Sequence, residues 1–131
     1  MLNRRQLLGT IVLSAALSLG PIAAAAERQP FDQAAFEAAQ AAGKPILVEV
    51  SAPWCPTCKA QAPILARLRS EARFKDLLSF NIDFDSQKDL LRKFNVQTQS
   101  TLIVFKGKQE TGRSTGVTDA AAIEALLAKS I

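Results

Sequence analysis

Pro45-Ile46-Leu47-Val48-Glu49-Val50 continues through Ser51-Ala52-Pro53 into Trp54-Cys55-Pro56-Thr57-Cys58, and this run sets the architecture of the chain. Its first part is short, mostly apolar and bounded by Pro45 and Ser51. That pattern predicts a strand buried on both faces, because a half-exposed strand would alternate apolar with polar residues. Ser51-Ala52-Pro53-Trp54 reads as a turn. A helix is expected from near Cys55 to about Ala72, with Ile64, Leu65 and Leu68 recurring at helical spacing. Pro63 falls inside it, where a missing backbone donor is expected to kink the axis.

Upstream, Asp32 can cap a helix through about Ala42, with Phe31, Ala35, Phe36 and Ala39 near its apolar face. Gly43 is placed to end that helix in the left-handed conformation. Downstream, Leu77–Asp83 reads as a second strand, and Ser86 with Asp89 can start a helix carrying Leu90, Leu91 and Phe94. Val96–Ser100 is a polar loop, and Thr101-Leu102-Ile103-Val104-Phe105 is a third strand. Lys106-Gly107-Lys108 turns the chain into the more polar Gln109–Thr115, a hairpin at the sheet edge. Gly116 breaks it, and Thr118 can cap a last helix with Ile123, Leu126 and Leu127 on one side. The order α-β-α-β-α-β-β-α predicts an α/β domain. Its four strands form one mixed sheet with helices on both faces.

Residues 1–26 read as a cleavable export signal. Arg4 and Arg5 precede the apolar run Leu7–Gly20, then Pro21 and Ala23-Ala24-Ala25-Ala26. The run is about fourteen residues, against roughly 20 for a spanning helix. Asn3-Arg4-Arg5-Gln6-Leu7-Leu8 approximates a twin-arginine motif, and the general secretory route accepts the same segment. An uncleaved anchor is the alternative. Cleavage before Glu27 leaves 105 of the 131 residues, 27–131, enough for one compact domain. It also leaves 14 Lys and Arg against 12 Asp and Glu, since two of the 16 basic residues are lost, a net charge of +2. That balance gives no reason to expect a nucleic-acid partner. Histidine is absent, which excludes Ser–His–Asp hydrolysis and imidazole acid–base chemistry.

The chemistry sits in Trp54-Cys55-Pro56-Thr57-Cys58, where a strand hands over to a helix. A sulfur at a helix start faces unpaired N–H groups and the positive end of the helix dipole, so its thiolate is stabilised. Cys58 lies one turn further in, close enough to close a disulfide with Cys55. The pair can therefore cycle between dithiol and disulfide, Cys55 attacking and Cys58 resolving. Other readings stay open. A structural disulfide closing so small a loop would contribute only about 2 kcal/mol. Zinc needs four ligands, and two cysteines without histidine cannot supply them. A copper(I) carrier could use the two thiolates alone.

Trp-Cys-x-x-Cys-Lys at 54–59, followed by Ala62-Pro63-Ile64-Leu65, resembles the thioredoxin family. So do Phe80-Asn81-Ile82-Asp83 and Thr101-Leu102-Ile103-Val104-Phe105-Lys106-Gly107. The resemblance covers nearly all of residues 31–130 in the same order. It implies the thioredoxin fold, with the N-terminal strand of longer members short or missing, since only Glu27–Pro30 precede the first helix. It also implies thiol–disulfide oxidoreductase activity on protein substrates, with no cofactor beyond the Cys55–Cys58 disulfide. By position Cys55 is the nucleophile, Cys58 the resolving thiol and Trp54 the shielding ring. Pro56 and Thr57 between the cysteines complete the substrate-facing turn. Exported, shortened members include thiol-carrier domains that take electrons from membrane transporters. The implied partners are thus disulfide-bearing exported proteins and such a transporter, in the periplasm.

Glu49 occupies the place of the family's buried acid, on a strand where burial should raise its pKa and suit it to move a proton at Cys58. Ser79 stands where the family places a lysine, so the usual counter-charge is expected to be missing. Ser100, preceded by Gln99, stands where the family has a cis-proline. A trans Gln99–Ser100 peptide is expected, because a cis bond before a non-proline residue costs about 3–4 kcal/mol. Ser100 is expected beside the dithiol, with its backbone open to a substrate segment and its hydroxyl able to donate to a thiolate. Pro56 resembles glutaredoxins and the periplasmic disulfide oxidases. The surrounding residues, with no histidine between the cysteines, favour a reductase or thiol carrier. An oxidase or isomerase, or a copper-handling or chaperone-like binding protein on the same fold, is the alternative.

Overall fold

A computed structural model describes residues 27–131. The expected export segment lies outside the described residues. Five strands form one sheet in the order β1-β3-β2-β4-β5. They are β1 Arg28–Pro30, β2 Pro45–Ser51, β3 Leu78–Asp83, β4 Thr101–Lys106 and β5 Gln109–Thr115. The short N-terminal strand is present. β1 and β2 both pair parallel with β3, while β4 runs antiparallel to β2 and to β5. β2 is therefore central, which is why its side chains are buried from Ile46 to Val50.

Two cores follow from the alternation of strand side chains. Ile46, Val48, Val50, Phe80, Ile82, Ile103 and Phe105 point to one face, covered by α1 (Gln33–Ala41) and α3 (Lys88–Lys93). Leu47, Leu102 and Val104 point to the other, covered by α2 (Pro56–Arg69) and α4 (Ala120–Ala128). Gly112 allows α4 to lie close on β5, since a Cβ there would come within 2.9 Å of Leu126 Cδ1. Among the described residues no helix is long and apolar enough to cross a membrane.

Asp32 caps α1 by accepting the Ala35 amide at 2.7 Å, and Gly43 follows the helix at φ +68°. Pro63 lies inside α2, which continues to Arg69 and is followed by a 3-10 turn at Ala72–Phe74. Two expected caps are corrected. Gln87, not Ser86, precedes α3, because Asp83 Oδ1 accepts the Ser86 amide and hydroxyl and holds Ser86 in the turn after β3. Asp119, not Thr118, caps α4, its carboxylate accepting the Ala122 amide at 2.8 Å.

Candidate active site

Cys55 is the N-cap of α2 and Pro56 its first residue, where proline's missing N–H costs no helical bond. Cys55 Sγ accepts the Cys58 amide at 3.1 Å. The two cysteines are joined in a disulfide with Cα atoms 5.3 Å apart. Cys55 is wholly buried, at 0% exposure, whereas Cys58 is half-buried and Pro53, Trp54 and Pro56 are exposed. Trp54 is 54% exposed, with Nε1 donating to Asp85 Oδ2 at 2.9 Å and its ring edge-on to Phe84. Thr57 is half-buried beside them.

Glu49 projects from central β2 on the α2 side and is 4% exposed. Burial raises its pKa; nearby Arg69 and Arg28 oppose that rise in part. Arg69 Nη1 donates to Glu49 Oε2 at 2.9 Å, and both side chains are largely buried. The expected lack of a counter-charge is therefore corrected. Ser79 is a buried serine whose hydroxyl has no partner, and the cation comes instead from the last residue of α2. Arg69 was legible in principle, since it lies three helical turns beyond Cys58 on the same face as Leu65.

Ser100 is buried, and the Gln99–Ser100 peptide is trans, with Ser100 at φ +59°. Its amide donates to Val50 O at 2.8 Å. Its carbonyl accepts from Gln61 Nε2 at 3.2 Å and from the Gly116 amide at 3.1 Å. Its hydroxyl donates to Gln99 O. Both backbone groups expected to meet substrate are thus engaged within the fold, and the hydroxyl is turned to the chain. Gln61, one turn beyond Cys58 and 3% exposed, also donates to Val117 O at 2.8 Å. It ties α2 to two loops, a role its polarity alone did not signal.

A left-handed φ is strained for serine, and Ser100→Gly should remove that strain at little cost to the fold. Ser100→Pro should destabilise by about 3 kcal/mol or more, losing the bond to Val50 and forcing φ to about −65°. Urea denaturation of the two oxidised variants checks the ordering. Equal midpoints would show that the loop adapts to either residue.

A buried central strand delivering a disulfide to the first turn of a helix, on a mixed five-stranded sheet, defines a redox-active α/β domain. The thioredoxin family model matches residues 27–129, so the chain belongs to the thioredoxin family. It is 39% identical over 80 residues to thioredoxin of Mycobacterium bovis, covering 61% of this chain and 68% of that protein. It is 35% identical over 92 residues to the bifunctional thioredoxin reductase/thioredoxin of Mycobacterium leprae, covering 70% of this chain but only 20% of that longer protein. The crystal structure of Trxlp from Edwardsiella tarda EIB202 superposes with a TM-score of 0.75 at 44% identity, covering 77% of this chain and 98% of that one. The chain is a thiol–disulfide oxidoreductase of thioredoxin type whose Cys-x-x-Cys disulfide is Cys55–Cys58.

Proposed function

We propose that the protein works in the periplasm, after removal of residues 1–26, as a reductase or thiol carrier for disulfide-bearing exported proteins. A membrane thiol–electron transporter is the proposed reductant. The observation that carries the reading is the sulfur of Cys55 at the start of α2, accepting the Cys58 amide. In the dithiol the same position stabilises a Cys55 thiolate, which attacks a substrate disulfide once Trp54 and its turn are displaced by the docking partner. Cys58 then attacks Cys55 and releases the reduced substrate. Trp54, Pro56 and Thr57 form the docking surface. Gln99, half-buried one residue before the engaged Ser100, takes the adjoining segment of substrate.

The reduction potential against a glutathione buffer tests the direction. A value near about −270 mV supports the reductase, and one near about −120 mV would make the protein an oxidant. Tight stoichiometric copper(I) binding without disulfide turnover would favour the metal-handling alternative.

Glu49 moves a proton at Cys58 in this reading, and Arg69 sets how far it ionises. With its folded pKa raised, Glu49 binds more protons in the native than in the unfolded chain. Its contribution to stability is therefore fully present below the ordinary value of 4.5 and is lost as pH rises through the raised one. Glu49→Gln should remove that slope from urea titrations between pH 4 and 8 and slow exchange with the fold intact. Arg69→Leu should move the slope to higher pH, and Arg69→Lys should restore part of it. An unchanged pH–rate profile in Glu49→Gln would end the proton-transfer role.

A further inference from the structure

The buried residues of α2 are Gln61, Leu65 and Leu68, so an amide stands where helical spacing calls for an apolar side chain. A buried amide is costly unless its polar atoms find partners. Gln61, at 3% exposure, finds them by donating from Nε2 to Ser100 O at 3.2 Å and to Val117 O at 2.8 Å. A leucine would fill the same stripe without needing any partner. The amide therefore adds a constraint that core packing does not require.

That constraint falls on a particular segment. Ser100 immediately precedes β4, and Val117 lies just beyond β5. The Ser100 amide donates to Val50 O, at the end of β2 from which the chain turns to Cys55. The Gln99–Ser100 peptide is thus held by its N–H on Val50 and by its carbonyl on the Ser100 hydroxyl. The carbonyl of the next peptide is held by Gln61 and by the Gly116 amide. Ser100 has φ +59°, a conformation that a serine keeps only where its surroundings over-determine it. Of these holds, the one from Gln61 comes from the helix that also carries Cys58 and is capped by Cys55.

We propose that Gln61 is a positioning residue for protein substrates. It registers the Gln99–Ser100 segment against the dithiol helix, and so sets affinity for an extended substrate rather than the reactivity of Cys55. The inference rests on the reading of Gln99 as a substrate contact and names the residue that makes that contact ready. A segment already held in its binding geometry needs no ordering when the partner docks, and the gain appears as affinity. A small disulfide offers no backbone to the segment, so its reduction does not depend on Gln61.

The test uses Gln61→Met, which keeps an unbranched side chain of similar length and removes both donors. Dithiothreitol-driven reduction of insulin gives KM and kcat, and a single turnover of the pre-reduced protein with hydroxyethyl disulfide gives the small-substrate rate. The insulin KM should rise about threefold to tenfold, the worth of one net hydrogen bond. The insulin kcat, the small-disulfide rate and the pH profile of Cys55 alkylation should stay at the parent's values. Gln61→Asn keeps the amide with one methylene less of reach and should give a KM between the two. It carries the same comparison if Gln61→Met does not fold. An unmoved insulin KM in a folded variant, or equal losses on insulin and the small disulfide, would overturn the inference and leave the redox activity standing. Failure of the parent to reduce insulin would overturn the substrate reading itself, and the inference with it.

Discussion

Replacing Cys55 with serine ends disulfide exchange, whereas replacing Cys58 leaves protein partners held on Cys55 as mixed disulfides. The two sulfurs sit three residues apart but in unlike surroundings. Cys55 caps α2 and accepts the Cys58 amide, so negative charge on it meets a donor and the positive end of the helix. Cys58 lies inside the first turn, at bonding distance for resolution. Serine at 55 keeps the cap, because its hydroxyl accepts the same amide, so lost turnover cannot be put down to a lost helix. Dithiothreitol-driven reduction of insulin measures turnover, and non-reducing electrophoresis shows the trapped partners. Iodoacetamide near neutral pH should modify Cys55 of the reduced protein first. Faster modification of Cys58 would exchange the two roles.

Phe36→Ala should cost about 3–5 kcal/mol, a large share of the 5–15 typical of a domain this size. Phe36 is 4% exposed on α1. Its ring lies 5.3 to 5.9 Å from those of Phe31, Phe80, Phe94 and Phe105, three of them edge-on. It thereby joins α1, β3, β4 and the end of α3 in one aromatic cluster, and few other α1 side chains are buried. Truncation removes the packing of all four rings and leaves a cavity that a rigid sheet cannot close. Phe36→Leu should lose much less. The disulfide sits at the start of α2, which packs on the opposite face, and it should still form in Phe36→Ala below the unfolding midpoint. A midpoint within experimental error of the parent would show that α1 contributes little.

Strand and helix positions were legible because local spacing controls them. β5 falls at Gln109–Thr115 and the turn before it at the glycine expected. Where competing caps lay one residue apart, as with Thr118 and Asp119 or Ser86 and Gln87, spacing alone could not choose. The choice at Ser86 went to Asp83, a side chain three residues back that gains more by closing its own turn. β1 was doubtful in the sequence because three exposed residues carry no periodicity. The parallel register with Ser79, Phe80 and Asn81 makes it a strand.

By itself the sequence determined that a dithiol would stand at a helix start behind a buried strand, since every residue involved is local to 45–58. Only the tertiary structure decided which charges and loops surround it. Arg69 meets Glu49 across twenty residues and Gln61 meets Ser100 across thirty-nine. Both contacts exist because β2 lies at the centre of the sheet with α2 across it. The same layering buries Cys55 and leaves Cys58 lining an open groove. Helical spacing specifies the separation of two sulfurs. Their burial depends on how the elements pack around them, and that packing depends on the order of the strands.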